Sequence, residues 1–330
     1  MNRKTLLSGI AVIVFLALFC GMSLYQLQKS RIDRLANLTA RQLSCEVKKF
    51  GGVIIYHRGI KLVELYGGRM APDKLHHLAS ITKGVDSCAV GFAVQDGLFR
   101  LDSRVCDLLP EYFPDNFGEK LSRLTVRDLL MLRIGYSKEQ EEDLPLSAEA
   151  IFRNEPEFMP GEQFYYSGLI CYLLSVIIQE TAGMSLADYV RPRLMMPLGI
   201  HRYLWSMDGA GGLIMTLPDL AKLGEFYRQN GKWNGVQLLE EDWLREATSS
   251  QTPEELDYAD NWSSGFGYLF WRNKFGGFRS DGAGGQLLII MPEDELSIAL
   301  FSDGNSFSPA LEIIESFILA VRAENTGKGA

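Results

Sequence analysis

The sequence predicts an α/β (α+β) domain whose antiparallel sheet is built from both ends of the chain, with a helical region in the middle. β-Rich runs occur at residues 52–66 and again at residues 268–302. Between them, apolar residues recur at helical spacing, and an amphipathic helical pattern follows at residues 309–323. Strands at both chain ends with helices between them favour one shared antiparallel sheet.

Each element has its own signal. Residues 52–57 and 61–66 flank Arg58-Gly59, which predicts a hairpin. From Ser80 the spacing becomes helical, and Asp96-Gly97 ends that helix. The acidic stretch 137–147 predicts a solvated loop. Further helices are predicted at residues 168–182, 185–198, 217–230 and 239–247, and the closing strands at residues 268–271, 286–291 and 296–302.

Composition narrows the class of protein. The chain has 330 residues, of which 47 % are hydrophobic and 22 % charged, and this is typical of a globular protein. The formal net charge of −8 argues against nucleic acid as a partner, because phosphate binding requires clustered Lys and Arg. We therefore expect an enzyme-sized globular domain on a short stem.

The N-terminus predicts a membrane anchor. No charged residue occurs between Lys4 and Lys29, and residues 6–25 are almost continuously apolar. Twenty such residues in a helix span about 30 Å, the thickness of a bilayer core. We expect an uncleaved signal anchor at residues 1–28 because no Ala-x-Ala-like cleavage site follows, although a cleaved signal peptide is the alternative.

The expected location is the inner (cytoplasmic) membrane, crossed once, with the catalytic domain in the periplasm. The basic residues that follow the apolar run outnumber Arg3 and Lys4, which leaves the orientation open. Residues 26 to about 45 predict a polar helix with Leu27, Ile32, Leu35 and Leu38 on its sparse apolar side. Residues 29–45 of it would form a stalk. Residues 46–324 would form the hydrolase domain, and residues 325–330 a flexible tail.

The tetrad Ser80-Ile81-Thr82-Lys83 is the candidate for nucleophilic catalysis in this sequence. Residues i and i+3 share a helix face, so Lys83 can place its amine against the Ser80 hydroxyl. A serine is a poor nucleophile until a neighbouring base takes its proton. Because Ser80 starts a helix, backbone N–H groups can form half of an oxyanion hole there.

Two later segments support this interpretation. Phe164-Tyr165-Tyr166-Ser167-Gly168 lies where a loop enters a helix, and Ser280-Asp281-Gly282-Ala283-Gly284-Gly285-Gln286 leads into a strand. Glycines in the second segment let a substrate approach the backbone closely.

The chain resembles the serine β-lactamase/penicillin-binding-protein superfamily, and within it the class C-related hydrolases that include 6-aminohexanoate-dimer hydrolases and family VIII-type esterases. The resemblance covers residues 50–322 and implies a β-lactamase/DD-peptidase-like fold. The segments that carry it are Ala79-Ser80-Ile81-Thr82-Lys83-Gly84 and residues 124–130, 160–167, 197–200, 218–224 and 282–286.

The resemblance implies a role for each matching residue. Ser80 would be the acylated nucleophile, Lys83 its proton partner, and Tyr166 the general base that later protonates the leaving group. The backbone N–H groups of Ser80 and Ala283 would hold the oxyanion. The Lys83 ammonium is expected to lower the pKa of Tyr166. No metal or organic cofactor is expected.

Two positions depart from the family pattern. The second motif usually reads Tyr-x-Asn, but its third position here is Gly168, and the third motif opens with Ser280 where a cation is usual. We expect poor recognition of a β-lactam or peptide carboxylate, unless Arg279 reaches the site. The predicted substrate contacts are Gly168, Arg279, Ser280, Gly282 and Gln286.

The sequence thus predicts a serine hydrolase that cleaves a carboxylic ester or an amide. One alternative is a D-amino-acid peptidase or weak β-lactamase that acts on cell-wall peptides. Another is a catalytically silent binding or scaffold module, suggested by Gly168 and opposed by Ser80, Lys83 and Tyr166.

Overall fold

A seven-stranded antiparallel sheet forms the centre of the computed structural model, which describes residues 3–205, 212–252, 262–304 and 307–326. Its order is β2-β1-β12-β11-β10-β9-β8, and smaller sheets have the orders β3-β5-β4 and β6-β7. The strands are β1 (Phe50–His57), β2 (Ile60–Tyr66), β3 (His76–His77), β4 (Leu204–Trp205), β5 (Leu213–Met215), β6 (Lys232–Trp233), β7 (Val236–Gln237), β8 (Ser263–Phe266), β9 (Trp271–Asn273), β10 (Phe278–Gly282), β11 (Gln286–Met291) and β12 (Leu296–Ser302).

Strands from the two chain ends meet in the middle of this sheet. The first strand pairs with β2 on one side and with β12 on the other, with Ile55 opposite Ile298. The predicted antiparallel sheet built from both ends is therefore confirmed. Successive side chains point to opposite faces, so Val53 and Ile55 pack in one core and Ile54 in the other.

Most helices follow the predicted spacing, and five of the described helices begin at a capping side chain. For example, Thr125 and Asp128 form a capping box at the start of α5. The helices are α1 (Arg3–Glu46), α2 (Thr82–Gln95), α3 (Val105–Leu108), α4 (Glu119–Arg123), α5 (Val126–Leu130), α6 (Lys138–Asp143), α7 (Ala148–Phe152), α8 (Leu169–Ala182), α9 (Leu186–Val190), α10 (Leu217–Arg228), α11 (Glu241–Ala247) and α12 (Ser308–Asn325).

The helical layer on the inner face of the sheet positions the site. Helix α2 packs against α8, while α10 packs against β11 and β12. Every residue of α2 from Thr82 to Ala93 is buried. Polar side chains on this helix are therefore held in the protein interior.

Residues 29–45, which belong to α1, are arranged differently from the predicted stalk. The segment is helical, but it packs on the outer face of the sheet beside α12 instead of standing clear as a stalk. Ile32, Ala36, Ala40 and Leu43 are at most 2 % exposed, whereas Leu38 is 56 % exposed. Two alanines thus belong to the buried stripe, which a search for large apolar residues does not detect.

Three further segments differ from prediction or lie outside the described residues. The acidic stretch 137–147 contains a helix, α6, whose capping box joins Ser137 and Gln140. The strand predicted at residues 268–271 is a turn with Leu269 at φ 68°, and β9 begins only at Trp271. Of the predicted tail 325–330, residues 327–330 lie outside the described residues, as do residues 1–2 of the predicted anchor.

Among the residues whose side chains the structure describes, no single helix is long and apolar enough to cross a membrane. One pair of helices bent by 70°, Leu169–Ala182 with Leu186–Met195, has the required length and composition. The anchor at residues 1–28 stays a prediction.

Candidate active site

Ser80 lies on a short 3₁₀ turn, Ala79–Ile81, that leads directly into α2. The residue before it, Ala79, has φ 49°, in the left-handed region that residues with a Cβ rarely adopt. The Ala79 N–H donates to Nδ1 of His77 at 3.1 Å, and His77 belongs to β3, which pairs with β5. The small sheet and this hydrogen bond hold the strained backbone that presents Ser80.

Lys83 lies one helical turn after Ser80. Its Nζ donates to Ser80 Oγ at 3.2 Å, and the side chain is only 2 % exposed. The contact is local to the helix, so it forms wherever this tetrad is helical. An amine at this distance can exchange a proton directly with the serine hydroxyl.

Tyr166 lies on the other side of this pair. Lys83 Nζ is 4.8 Å from the centroid of the Tyr166 ring, and the ring stacks on Trp271 with centroids 5.4 Å apart. The structure thus brings Ser80, Lys83 and Tyr166 together, with an aromatic wall behind the tyrosine.

The expectation that the pKa of Tyr166 is lowered is wrong, because the pKa is raised. Burial, and next the carboxylate of Asp281, raise the pKa of Tyr166 from its ordinary value, while the Ser80 side chain lowers it by less. Burial disfavours the phenolate charge, and this effect exceeds the stabilisation by neighbouring cations. In this structure the neutral phenol is therefore the favoured form of Tyr166.

The end of β10 lies against the Ala79–Ile81 turn that carries Ser80. A Cβ at Gly282 would stand 2.3 Å from the carbonyl oxygen of Leu78 and 3.3 Å from Cβ of Ala79. This close approach brings the exposed Ala283 beside the turn that carries Ser80. The backbone N–H groups of Ser80 and Ala283 are the candidate oxyanion hole.

Gln286 lies at the turn between β10 and β11 and contacts His76 on β3. It is 3 % exposed, and its Nε2 donates to Nε2 of His76 at 3.0 Å. The hydroxyl of Ser302 donates to the carbonyl oxygen of Gly285, also at 3.0 Å. The Gln286 amide therefore supports the turn, and a contact of Gln286 with substrate stays a prediction.

Arg279 also belongs to the scaffold. Its guanidinium is 1 % exposed and donates to Asp281 Oδ2 (3.1 Å), Asn273 Oδ1 (3.0 Å) and Ser263 Oγ (3.0 Å). The expectation that Arg279 reaches a substrate carboxylate is therefore corrected. A charge that is buried and hydrogen-bonded on several sides stabilises the sheet instead.

Ser280 is 3 % exposed, and its hydroxyl points towards α2. A Cβ at Gly84 would be 3.1 Å from Ser280 Oγ, which has no hydrogen-bond partner among the described residues. Gly168, by contrast, is exposed at the start of α8 and adds no side chain to the site. Neither position offers a cation.

Three nearby residues were not found by sequence reasoning. Asp86 is 3 % exposed one turn after Lys83, and Trp271 forms the wall behind Tyr166. Burial raises the pKa of Glu141 to about 7, an effect that the side chain of Ser167, next to Tyr166, opposes. The helical spacing from Lys83 is a signal for Asp86, whereas Glu141 and Trp271 reach the site only through the tertiary fold.

Cysteines and metal ligands add no chemistry to the described residues. Cys45, Cys88, Cys106 and Cys171 are free thiols. Within the described ranges, no group of three or more His, Cys, Asp and Glu side chains is arranged to hold a metal ion.

Known proteins resemble this chain over most of its length. The family model described as Beta-lactamase matches residues 46–208. An uncharacterized protein of Alkalihalophilus pseudofirmus is 26 % identical over 239 residues, which is 62 % of this chain and 66 % of that protein. The chain spans less than two thirds of the length of the curated relatives it matches.

Solved structures share the fold. A penicillin-binding protein homolog from Caulobacter crescentus has a TM-score of 0.72 at 18 % identity, covering 88 % of this chain and 97 % of that one. EstCE1, a hydrolase with promiscuous acyltransferase activity, has a TM-score of 0.72 at 16 % identity, covering 88 % of this chain and 99 % of that one. Residues 46–208 therefore form a domain of the Beta-lactamase family, which supports membership of the serine β-lactamase/penicillin-binding-protein superfamily, and the solved structures share its fold.

Proposed function

We propose that this chain is a serine hydrolase that cleaves a carboxylic ester or an amide through an acyl-enzyme on Ser80. The observation that carries the proposal is the contact between Lys83 Nζ and Ser80 Oγ at 3.2 Å, beneath the Tyr166 ring. A half-buried hydroxyl beside a buried amine is the arrangement that nucleophilic catalysis requires.

In the acylation step, Ser80 Oγ attacks the carbonyl carbon of the substrate and its proton passes to Nζ of Lys83. The carbonyl oxygen becomes an oxyanion that faces the N–H groups of Ser80 and Ala283. Because Tyr166 rests as a phenol, it donates its proton to the leaving group and receives one from Lys83. The bond to the leaving alcohol or amine then breaks.

Deacylation runs the same groups in reverse. Water attacks the acyl carbon, its proton passes through Tyr166 and Lys83 to Ser80 Oγ, and the carboxylic acid leaves. The oxyanion hole serves both steps, since each passes through a tetrahedral intermediate.

Esters and neutral amides are the proposed substrates. Ser280 is buried and uncharged, and the Arg279 guanidinium is buried and donates to Asn273 and Ser263. Neither residue can therefore offer a cation to a substrate carboxylate. EstCE1, which shares the fold, is a hydrolase with acyltransferase activity. Cell-wall peptides and β-lactams, which present a carboxylate, are therefore disfavoured substrates.

The test compares the wild-type chain with Ser80→Ala in detergent micelles. Each is mixed with a short-chain nitrophenyl ester and, separately, with a fluorophosphonate, and turnover and intact mass are recorded. We expect turnover and one adduct for the wild type and neither for Ser80→Ala. An unlabelled, inactive wild type would support a binding or scaffold module instead.

We also propose that residues 1–28 anchor the chain in the inner membrane with the domain in the periplasm. The support is the uncharged run between Lys4 and Lys29. Reporters fused to the C-terminus test this topology: a periplasmic reporter should be active, and activity of a cytoplasmic reporter alone would contradict it.

A further inference from the structure

Trp271 lies between two side chains of the neighbouring strands in the seven-stranded sheet. The register of β9 places it opposite Phe266 on β8 and opposite Arg279 on β10. Side chains opposite each other in antiparallel strands lie on the same face of the sheet, so the three form one row. The Phe266 ring meets the indole edge-on with centroids 4.7 Å apart, and the Arg279 guanidinium lies over the indole, 5.8 Å from its centroid.

Both ends of this row are fixed. Phe266 is buried in the core, and the buried Arg279 guanidinium donates to Asn273 Oδ1 and to Ser263 Oγ, each at 3.0 Å. A guanidinium presents its donors in a rigid planar fork, so it cannot turn without breaking these hydrogen bonds. The indole between the two fixed groups is therefore held in one orientation.

The segment that carries Tyr166 gives its ring less support. Residues 163–167 belong to neither a helix nor a strand. The Tyr166 ring instead stacks on Trp271, with centroids 5.4 Å apart and planes 16° apart, and meets Phe266 edge-on at 6.1 Å. Lys83 Nζ is 4.8 Å from the centroid of the same ring. The direction of the tyrosine ring thus depends on its packing against the sheet.

We propose that Trp271 is a positioning residue for Tyr166. The indole, held by Phe266 and Arg279, keeps the tyrosine ring stacked so that its hydroxyl can pass a proton to the leaving group. Such a group must lie within hydrogen-bond reach of its partner, and a displacement of about 1 Å can slow a reaction about 10²-fold. This inference rests on the proposed function, in which Tyr166 takes part in proton transfer.

Trp271→Leu removes the flat ring and keeps an apolar side chain. We expect kcat for a nitrophenyl ester to fall by about 10- to 100-fold, with KM within about twofold of the wild type. A misplaced proton donor weakens stabilisation of the transition state and leaves substrate binding intact. Trp271→Phe restores a ring face for stacking, so it should recover kcat to within about threefold of the wild type.

A double-mutant cycle with Tyr166→Phe decides whether Trp271 acts through the tyrosine hydroxyl. If it does, Trp271→Leu should slow the Tyr166→Phe enzyme by no more than about twofold, although it slows the wild type at least about tenfold. A merely structural role would lower kcat by the same factor in both backgrounds, and that result would overturn the inference. A raised KM with unchanged kcat would also overturn it, because Trp271 would then contact substrate.

Trp233→Leu is the matched control, because Trp233 is also half-buried but lies on the separate two-stranded sheet β6-β7. This variant should keep the wild-type kcat and KM, and a loss equal to that of Trp271→Leu would contradict the proposed role. All variants are assayed as the full chain in detergent. Thermal unfolding checks that each one is folded.

Phe266→Leu takes the place of Trp271→Leu in the cycle if the latter does not fold. It removes the edge-on ring that supports the indole, so it should lower kcat by about two- to tenfold in the wild-type background. In the Tyr166→Phe background it should have almost no effect. Equal losses in the two backgrounds would again overturn the inference.

The outcomes separate the two proposals. If the wild-type chain neither turns over the ester nor is labelled by a fluorophosphonate, the proposed function fails and the role of Trp271 fails with it. If Ser80 is labelled but Tyr166→Phe keeps the wild-type kcat, the hydrolase stands and the role of Trp271 is wrong. If the wild type is active and Tyr166→Phe is slow, the cycle alone decides.

Discussion

Gly282 lies directly against the backbone of Leu78: a Cβ built on Gly282 would stand 2.3 Å from the Leu78 carbonyl oxygen. Real Cβ atoms do not come so close to a carbonyl oxygen. Even the smallest side chain at residue 282 must therefore push β10 away from the turn that carries Ser80. The N–H of Ala283 is carried on that strand end. The distance between the two candidate oxyanion donors therefore depends on the absence of a side chain at residue 282.

Gly282→Ala should abolish most ester hydrolysis, by about 10²- to 10³-fold, because one oxyanion donor is displaced. Steady-state turnover and fluorophosphonate labelling measure the effect. Gly97→Ala is the control, since Gly97 has φ 74° with no atom within 4 Å of its Cβ position, away from the site. Strain alone should leave its turnover unchanged, and equal losses in both variants would contradict the explanation.

Tyr166→Phe should lower turnover by about 10²- to 10⁴-fold, the usual contribution of a positioned proton-transfer group. Thermal stability should change little, because the ring can still stack on Trp271. Tyr165→Phe, the adjacent tyrosine, should remain active. Similar losses in the two variants would remove Tyr166 from the proposed proton path.

Arg279→Met should destabilise the fold by about 3–5 kcal/mol, because the variant removes a buried charge that holds Asp281, Asn273 and Ser263. Urea unfolding measures the change. The exposed Arg100, paired with Asp102, provides the contrast: Arg100→Met should stay within about 0.5 kcal/mol. A stable Arg279→Met with a raised KM only for anionic esters would restore the predicted substrate role.

Nitrocefin should acylate the protein far more slowly than a nitrophenyl ester turns over. Ser280 is 3 % exposed and carries no charge that could hold the β-lactam carboxylate. Ser280→Ala should keep ester turnover within about twofold, since its hydroxyl has no partner among the described residues. Fast nitrocefin hydrolysis, or an inactive Ser280→Ala, would show that this position does bind substrate.

Glu141→Gln should gain stability relative to the wild type as pH rises. Burial raises the pKa of Glu141 to about 7, so the folded state favours the protonated carboxyl. That contribution is present below the unfolded pKa of about 4.3 and is lost as pH rises through about 7. Urea unfolding at pH 5 and pH 8 should show the variant's advantage growing by about 1–3 kcal/mol; a constant difference would contradict it.

Sequence reasoning succeeded where the signal is local. The Ser80–Lys83 spacing needs only one helical turn, and the hairpin before it needs only alternation around Arg58-Gly59. The shared sheet followed from grouping the β-rich runs at the chain ends.

Other features depend on contacts that no local pattern encodes. The pKa of Tyr166 depends on how deeply the phenol is packed and on Asp281, which is distant in sequence. Arg279 looked available to a substrate until its three acceptors were known. Asp86 lies in a helix whose spacing was visible, but only the packing of α8 against α2 shows that its side chain is buried.

The docking of α1 has a practical consequence for where the chain can be cut. A soluble fragment that starts near residue 40 would lose Ile32 and Ala36, which lie in the same core as Val53 and Ile298. The outer face of the sheet would then be uncovered along that stripe, and such a patch favours aggregation. A truncation that keeps the first turn of this contact, from Gln28 onward, retains both the core and the Gln28 hydrogen bond to the Glu324 carbonyl oxygen (3.0 Å) that joins the two ends of the domain.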